Sequence, residues 1–242
     1  GLGTDEETIL ALLQSLNPDA LTALKHDYKS SYGSELLQDL RNDLGNRDYW
    51  QAMDLLQEEP TTLRGRIDTM EMKVTRERGS GTALGTCSDT FMDVFSSSGA
   101  ELDHAMREFK HLVKEAATHD ELAGADSYLD LKETKIDDLI TTYIDDKDGV
   151  SEAAASVATM TVAFTAIAAT GGMATPLAAA TIATTTGVTK VGVRKLVVGD
   201  AYDITSFDGA KDFVVGSAEG LGAFFMGKAG DRVTAAIGRQ VL

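Results

Sequence analysis

At 242 residues the chain is long enough for one large or two modest domains with a sizeable core. Its 22 Lys and Arg against 38 Asp and Glu leave a net charge of −16; that field argues against nucleic acid as a partner and meets anionic lipid only through a bridging cation. The single cysteine, Cys87, excludes an internal disulfide, and three prolines with few aromatics point to a mainly helical chain.

The first 57 residues are predicted to form four short amphipathic helices. Thr4 and Glu7 make a capping box, with Asp5 and Glu6 in the first turn, where negative charge meets the helix dipole favourably. Ile9, Leu12, Leu13 and Leu16 follow at helical spacing. Asn17-Pro18 starts a second helix, with proline where a missing N–H costs nothing. Leu21, Leu24, Tyr28 and Tyr32 line its inner face, and Gly33 ends it. Ser34 caps a third helix carrying Leu36, Leu37, Leu40 and Leu44, stopped by Gly45. A fourth begins near Asp48 and buries Trp50, Met53 and Leu56.

Pro60 marks a change, so two domains are expected, over 1–58 and 61–242. Residues 62–78 read as a polar helix and "GSGTALGT" (79–86) as a loop. Helices are predicted from about Ser98 to Thr118 and from Ser127 to Ile144. "DDKDGVSE" reads as a turn into the next segment. From Ala153 to Thr189 no residue is charged, and "TGGMATP" (170–176) divides that run into two Ala/Thr-rich halves, the pattern of a helical hairpin. Short helical patterns follow around 207–217 and 230–241. The fold class is therefore all-α.

A helix start needs only Thr4 and its partner, so Gly1 and Gly3 call for another explanation. Two glycines separated by one residue let the backbone turn tightly and aim several carbonyl oxygens to one side. Calcium takes about seven oxygens at flexible angles, a demand met by loop carbonyls, one bidentate carboxylate and water. Asp43 lies at the predicted end of the third helix, beyond the 38 residues 5–42, where antiparallel helices return the chain toward its first turn.

The stretch "GLGTDEETIL…YKSSYGSELLQDLRNDLGN" resembles a single annexin repeat, aligned without a gap from Gly1 to Leu44, with the likeness extending to about residue 57. The family's signature is Gly-x-Gly-Thr, then 38 residues, then an acidic residue; Gly1, Gly3, Thr4 and Asp43 meet it, supported by Tyr28, Gly33, Leu36 and Leu40. The resemblance implies that the carbonyls of Gly1 and Gly3 and the carboxylate of Asp43 hold Ca2+, and that the ion binds phosphate of an acidic membrane surface. Because Gly1 falls inside the motif, the chain is expected to be a piece of a longer protein, and the absence of a leader carries no information.

The two halves of the uncharged run are near or below the roughly 20 residues needed to span hydrocarbon. Rich in Ala and Thr, they gain little on transfer to lipid and favour close helix–helix approach. They are expected as a buried hairpin sheathed by acidic helices. The alternative is a hairpin stored in soluble form and released into a bilayer, with Lys190, Arg194 and Lys195 at its exit.

"SDTFMDVFSSSGAELD" (88–103) and "GDAYDITSFDGAKD" (199–212) are similar, more weakly, to helical regions of large bacterial polymorphic toxins and of contractile-injection cargo. That resemblance implies a secreted or injected parent protein, whose other domains would be partners, and transfers no functional residue. Other chemistry is not supported. His104, Glu108, His111 and Glu115 form a row opposite Leu102, Met106, Phe109, Val113 and Ala116, the pattern of a solvated stripe. "GSGTALGT" lacks the Gly-Lys-Ser/Thr end of a P-loop, and counting back from Gly149 puts Ile144 and Ala155 at the first and twelfth EF-hand positions. No enzyme is expected. The leading expectation is a calcium-dependent, acidic-phospholipid-binding module of a larger bacterial protein. The alternative is a structural or delivery domain of a toxin or injected effector, with no role for calcium.

Overall fold

A computed structural model describes residues 5–57, 60, 62–79, 82–118, 126–169, 176–206 and 208–223. Helices are the only regular elements among them, as the composition predicts. The chain divides into two compact units: residues 1–145 with 200–203, and residues 146–199 with 204–242.

The first unit opens with α1 (Glu6–Ser15), α2 (Pro18–Tyr32), α3 (Leu36–Asp43) and α4 (Asn46–Leu56). The α1 cap is Asp5, whose carboxylate accepts from the Thr8 backbone N–H. Thr4, on which the predicted capping box rests, lies outside the described residues. From that start Leu10 and Leu13 turn inward while Leu12 is 58% exposed, which corrects the predicted inner face. Asn17 caps α2, accepting from the Ala20 N–H at 2.8 Å, and Pro18 occupies its first turn as expected. Gly33 ends α2 at φ 74°, a left-handed conformation that glycine enters without steric cost. Tyr32 stacks on Tyr28 but faces solvent, so it does not join the predicted inner face.

Ser34 does not cap α3. Its hydroxyl donates to Asp39 instead, and Glu35 holds the cap position without a side-chain capping bond. Gly45 is the cap residue of α4, which begins at Asn46, two residues before its predicted start. One core joins α1, α3 and α4 through Leu10, Leu13, Leu40, Leu44, Ala52 and Leu56, with Leu21 and Leu24 of α2 against it. Trp50 and Met53 are half-buried. Each buried leucine contributes about 1.5–3 kcal/mol over an exposed one.

The helices α5 (Leu63–Arg78), α6 (Ala83–Phe95) and α7 (Ser98–Thr118) complete this unit together with the first part of α8 (Asp126–Ala169). Residues 83–86, predicted as loop, are the first turn of α6. The Thr82 hydroxyl accepts from the Gly85 N–H at 2.9 Å and so starts the helix that the glycines alone would oppose. In α7, Leu102, Met106, Phe109 and Val113 are buried and His104, His111 and Glu115 are exposed, as the periodicity predicts, while Glu108 is half-buried beside Lys132. Residues 200–203 return to this unit, where Asp200 accepts from the Asn46 amide at 2.8 Å and the Thr82 hydroxyl at 2.6 Å.

The predicted turn at "DDKDGVSE" does not form; α8 runs straight through it. Gly149 in mid-helix costs about 1 kcal/mol relative to alanine. Burial on either side outweighs it, since Lys147 and Ser151 are 1% and 0% exposed and the Ser151 hydroxyl donates back to the Asp148 carbonyl.

The second unit holds the rest of α8, α9 (Pro176–Val198) and α10 (208–223). Residues 170–175, which join the two arms, and the predicted helix at 230–241 lie outside the described residues. The described residues of the uncharged run are helical as expected, and their inner face supplies Ala163 and Ile182 to a core completed by Ala223. That core takes only one face of the run: Val157, Phe164 and Leu177 are 67%, 56% and 78% exposed. Small residues let α10 approach α9 closely. A Cβ on Gly216 would meet the Lys190 Cβ at 2.8 Å, and one on Gly220 would meet the Thr186 hydroxyl at 2.2 Å.

Candidate functional site

The predicted ligand carboxylate, Asp43, is the exposed last residue of α3. Leu40 and Leu44, on either side of it, are 7% exposed and anchor this end of α3 in the core that Leu10 and Leu13 of α1 also enter. Gly1, Gly3 and Thr4, the other predicted members, lie outside the described residues. The residues between them are placed: Leu36 and Leu40 face the core, Gly33 turns the chain, and the Tyr28 hydroxyl donates to Asp39 at 2.8 Å. Hydrogen bonds from Ser34 and then Tyr28 hold the Asp39 carboxyl below its usual range, and the same bond to Asp39 pushes the Tyr28 phenol up. Asp39 is thereby tied down, whereas Asp43, one helical turn further on, points to water.

Among the described residues no group of three or more His, Cys, Asp or Glu is arranged to hold a metal ion. His104 pairs with Glu108 and His111 with Glu115, each along the exposed face of α7, as expected of a solvated stripe. "DDKDGVSE" is helix rather than loop and offers no EF-hand carbonyls. Cys87 is an exposed free thiol on α6.

The sequence did not reveal two buried charge clusters. In the first unit Arg78, the last residue of α5, is 8% exposed. It donates to the Gly99 carbonyl at 2.6 Å and to Asp89 at 2.9 Å, pairs with Asp103 at 3.2 Å, and lies over the Tyr143 ring. Burial opposes its charge, yet the bond it donates to Asp89 leads the interactions that keep the guanidinium above its ordinary value. Burial, reinforced by Asp89, pushes the Tyr143 phenol up. In the second unit Lys190 is 1% exposed and donates to Glu152 at 2.7 Å and Glu219 at 3.0 Å, while Arg194 holds both Asp212 oxygens at 2.9 and 3.0 Å. Burial alone would lower the Lys190 ammonium; the two glutamates carry it above its ordinary value. The one-turn spacings of Asp89/Asp93 and of Lys190/Arg194 were the sequence signals for the two clusters.

A cavity of about 450 Å³ lies among Asp54, Arg66, Lys73, Asp130, Glu133 and Asp137. Its charges are paired: Arg66 donates to Glu133 at 2.6 and 2.8 Å and to Asp130 at 2.5 Å, Lys73 to Asp137 at 2.9 Å, and Asp54 accepts from Arg76 at 2.9 and 2.6 Å. No family model, curated protein or solved structure matches the chain.

Proposed function

We propose that the chain binds calcium at its amino-terminal turn and, through the ion, the phosphate of an acidic phospholipid surface. One observation carries this reading. Asp43 stands exposed at the end of α3, separated from the Gly1-x-Gly3-Thr4 sequence by 38 residues, and α1, which follows that sequence, shares a leucine core with α3. Carbonyls of Gly1 and Gly3 with the Asp43 carboxylate would supply part of a calcium shell, leaving positions for water or a lipid phosphate. A chain at −16 is repelled by an acidic bilayer, and a divalent ion between the two reverses that term locally.

Isothermal calorimetry of the whole chain with calcium chloride tests the ion site. Heat is expected for the native chain, with affinity at least about tenfold lower for Asp43→Ala, which removes the only charged ligand. No heat, or equal affinity for both chains, refutes the site. Co-sedimentation with phosphatidylserine vesicles in calcium, and its loss in EDTA, tests the lipid step. The dense cross-helix ion pairing of α5 with α8 favours a second reading, a rigid adaptor or delivery domain indifferent to calcium. Identical melting in calcium and EDTA, with no vesicle association, would favour it.

A further inference from the structure

Among the described residues of the second unit, α8 and α9 each carry apolar side chains that the core leaves exposed. On α8, Val157, Met160 and Phe164 face outward at 67%, 52% and 56% exposure, and on α9, Leu177 and Val188 do so at 78% and 59%. A soluble core helix of this composition is buried; here only 17% of the most apolar 18-residue window of α8 is. We infer that these two arms enter the hydrocarbon of a lipid bilayer, a site separate from the calcium turn and independent of calcium.

Three features select lipid as the occupant. The first is charge: none stands from Ala153 to Thr189, and the nearest charges, Glu152 and Lys190, bind each other across the base of the arms. Glu219, Arg194 and Asp212 extend that charged layer, so charge begins where headgroups and water would begin. The second is length. Ala153–Ala169 extends about 25 Å at 1.5 Å per residue, against a hydrocarbon core of about 30 Å. The third is hydrogen bonding. Polar groups entering lipid must be satisfied internally. The outward hydroxyls of Thr161, Thr165, Thr181 and Thr185 already donate to the carbonyls of Val157, Thr161, Leu177 and Thr181, at 2.8–2.9 Å. Such hydroxyls ask nothing of water.

The test uses the whole chain with Cys87→Ser and Phe164→Cys, labelled at residue 164 with an environment-sensitive nitrobenzoxadiazole dye. A matching chain is labelled through Lys114→Cys, an exposed position on α7. Both are mixed with phosphatidylcholine vesicles in EDTA, conditions under which a calcium bridge to acidic lipid cannot operate. Position 164 is expected to shift to the blue, to be quenched by spin-labelled lipid and to be shielded from iodide, with position 114 unchanged. No shift at 164 overturns the inference. So does a shift that appears without vesicles and grows with protein concentration, because a second copy then covers the face. In vesicle flotation, Met160→Asp with Phe164→Asp should lower the bound fraction at least about tenfold with helicity by circular dichroism retained, since both side chains face outward. Unchanged flotation also overturns the inference.

Discussion

Gly79 and Gly85 meet backbone to backbone: a Cβ placed on Gly85 would lie 1.8 Å from the Gly79 carbonyl oxygen. Gly79 ends α5 at φ 71°, and Gly85 sits in the first turn of α6, so the connection between the helices depends on two missing side chains. Neither neighbour is a flexible side chain that could swing away. Gly85→Ala should therefore destabilise the chain by at least about 2 kcal/mol, read as a lower urea midpoint with an unchanged slope. A midpoint equal to the native chain's would mean that the two turns are not in contact.

Arg78 is the common partner of Gly99, Asp89 and Asp103, and its guanidinium covers the Tyr143 ring. Removing it leaves the half-buried Asp89 carboxylate and the Gly99 carbonyl without their cationic donor. Arg78→Met, which keeps most of the volume, should cost about 1.5–3 kcal/mol. Asp89→Asn in the same chain should recover part of that loss, because the remaining charge is removed with its partner. Equilibrium denaturation of the single and double variants measures both. Strict additivity would show that the two side chains do not interact.

Asp39 accepts from Ser34 and Tyr28 and is held below the ordinary aspartate value of 3.8. A depressed carboxyl stabilises the fold fully at pH above the unfolded-state value, and the contribution disappears as pH falls through the lower folded value. The stability advantage of the native chain over Asp39→Asn should accordingly be constant near neutrality and shrink below about pH 3.8. Denaturation at pH 7 and at pH 2–3 decides the point. An equal advantage at both pH values would remove the charge from the explanation.

Where local chemistry and tertiary packing agree, the elements were legible in the residues. Asn17-Pro18 and Gly33 bound α2 as their backbone preferences require, and the apolar spacing of α7 matches its buried face. They diverge where a residue is asked to serve its neighbours. Gly149 signals a turn, but the burial of Lys147 and Ser151 holds the helix. The glycines of "GSGTALGT" signal a loop, yet Gly85 is small because Gly79 is against it. Leu12 and Tyr32 have the side chains of a core and face water, because the cap and the neighbouring helices set the inward direction.

The same division holds for the surfaces that could act. Residue order alone determined the spacing between the glycine turn and Asp43, the acidic balance and the 37-residue stretch without charge, since each is a property of composition along the chain. Only packing decided that the stretch shows one face to solvent and that Arg78 and Lys190 become buried hubs. Burial belongs to a residue's neighbours in space, and those neighbours lie far off along the chain, as Tyr143 does 65 positions from Arg78.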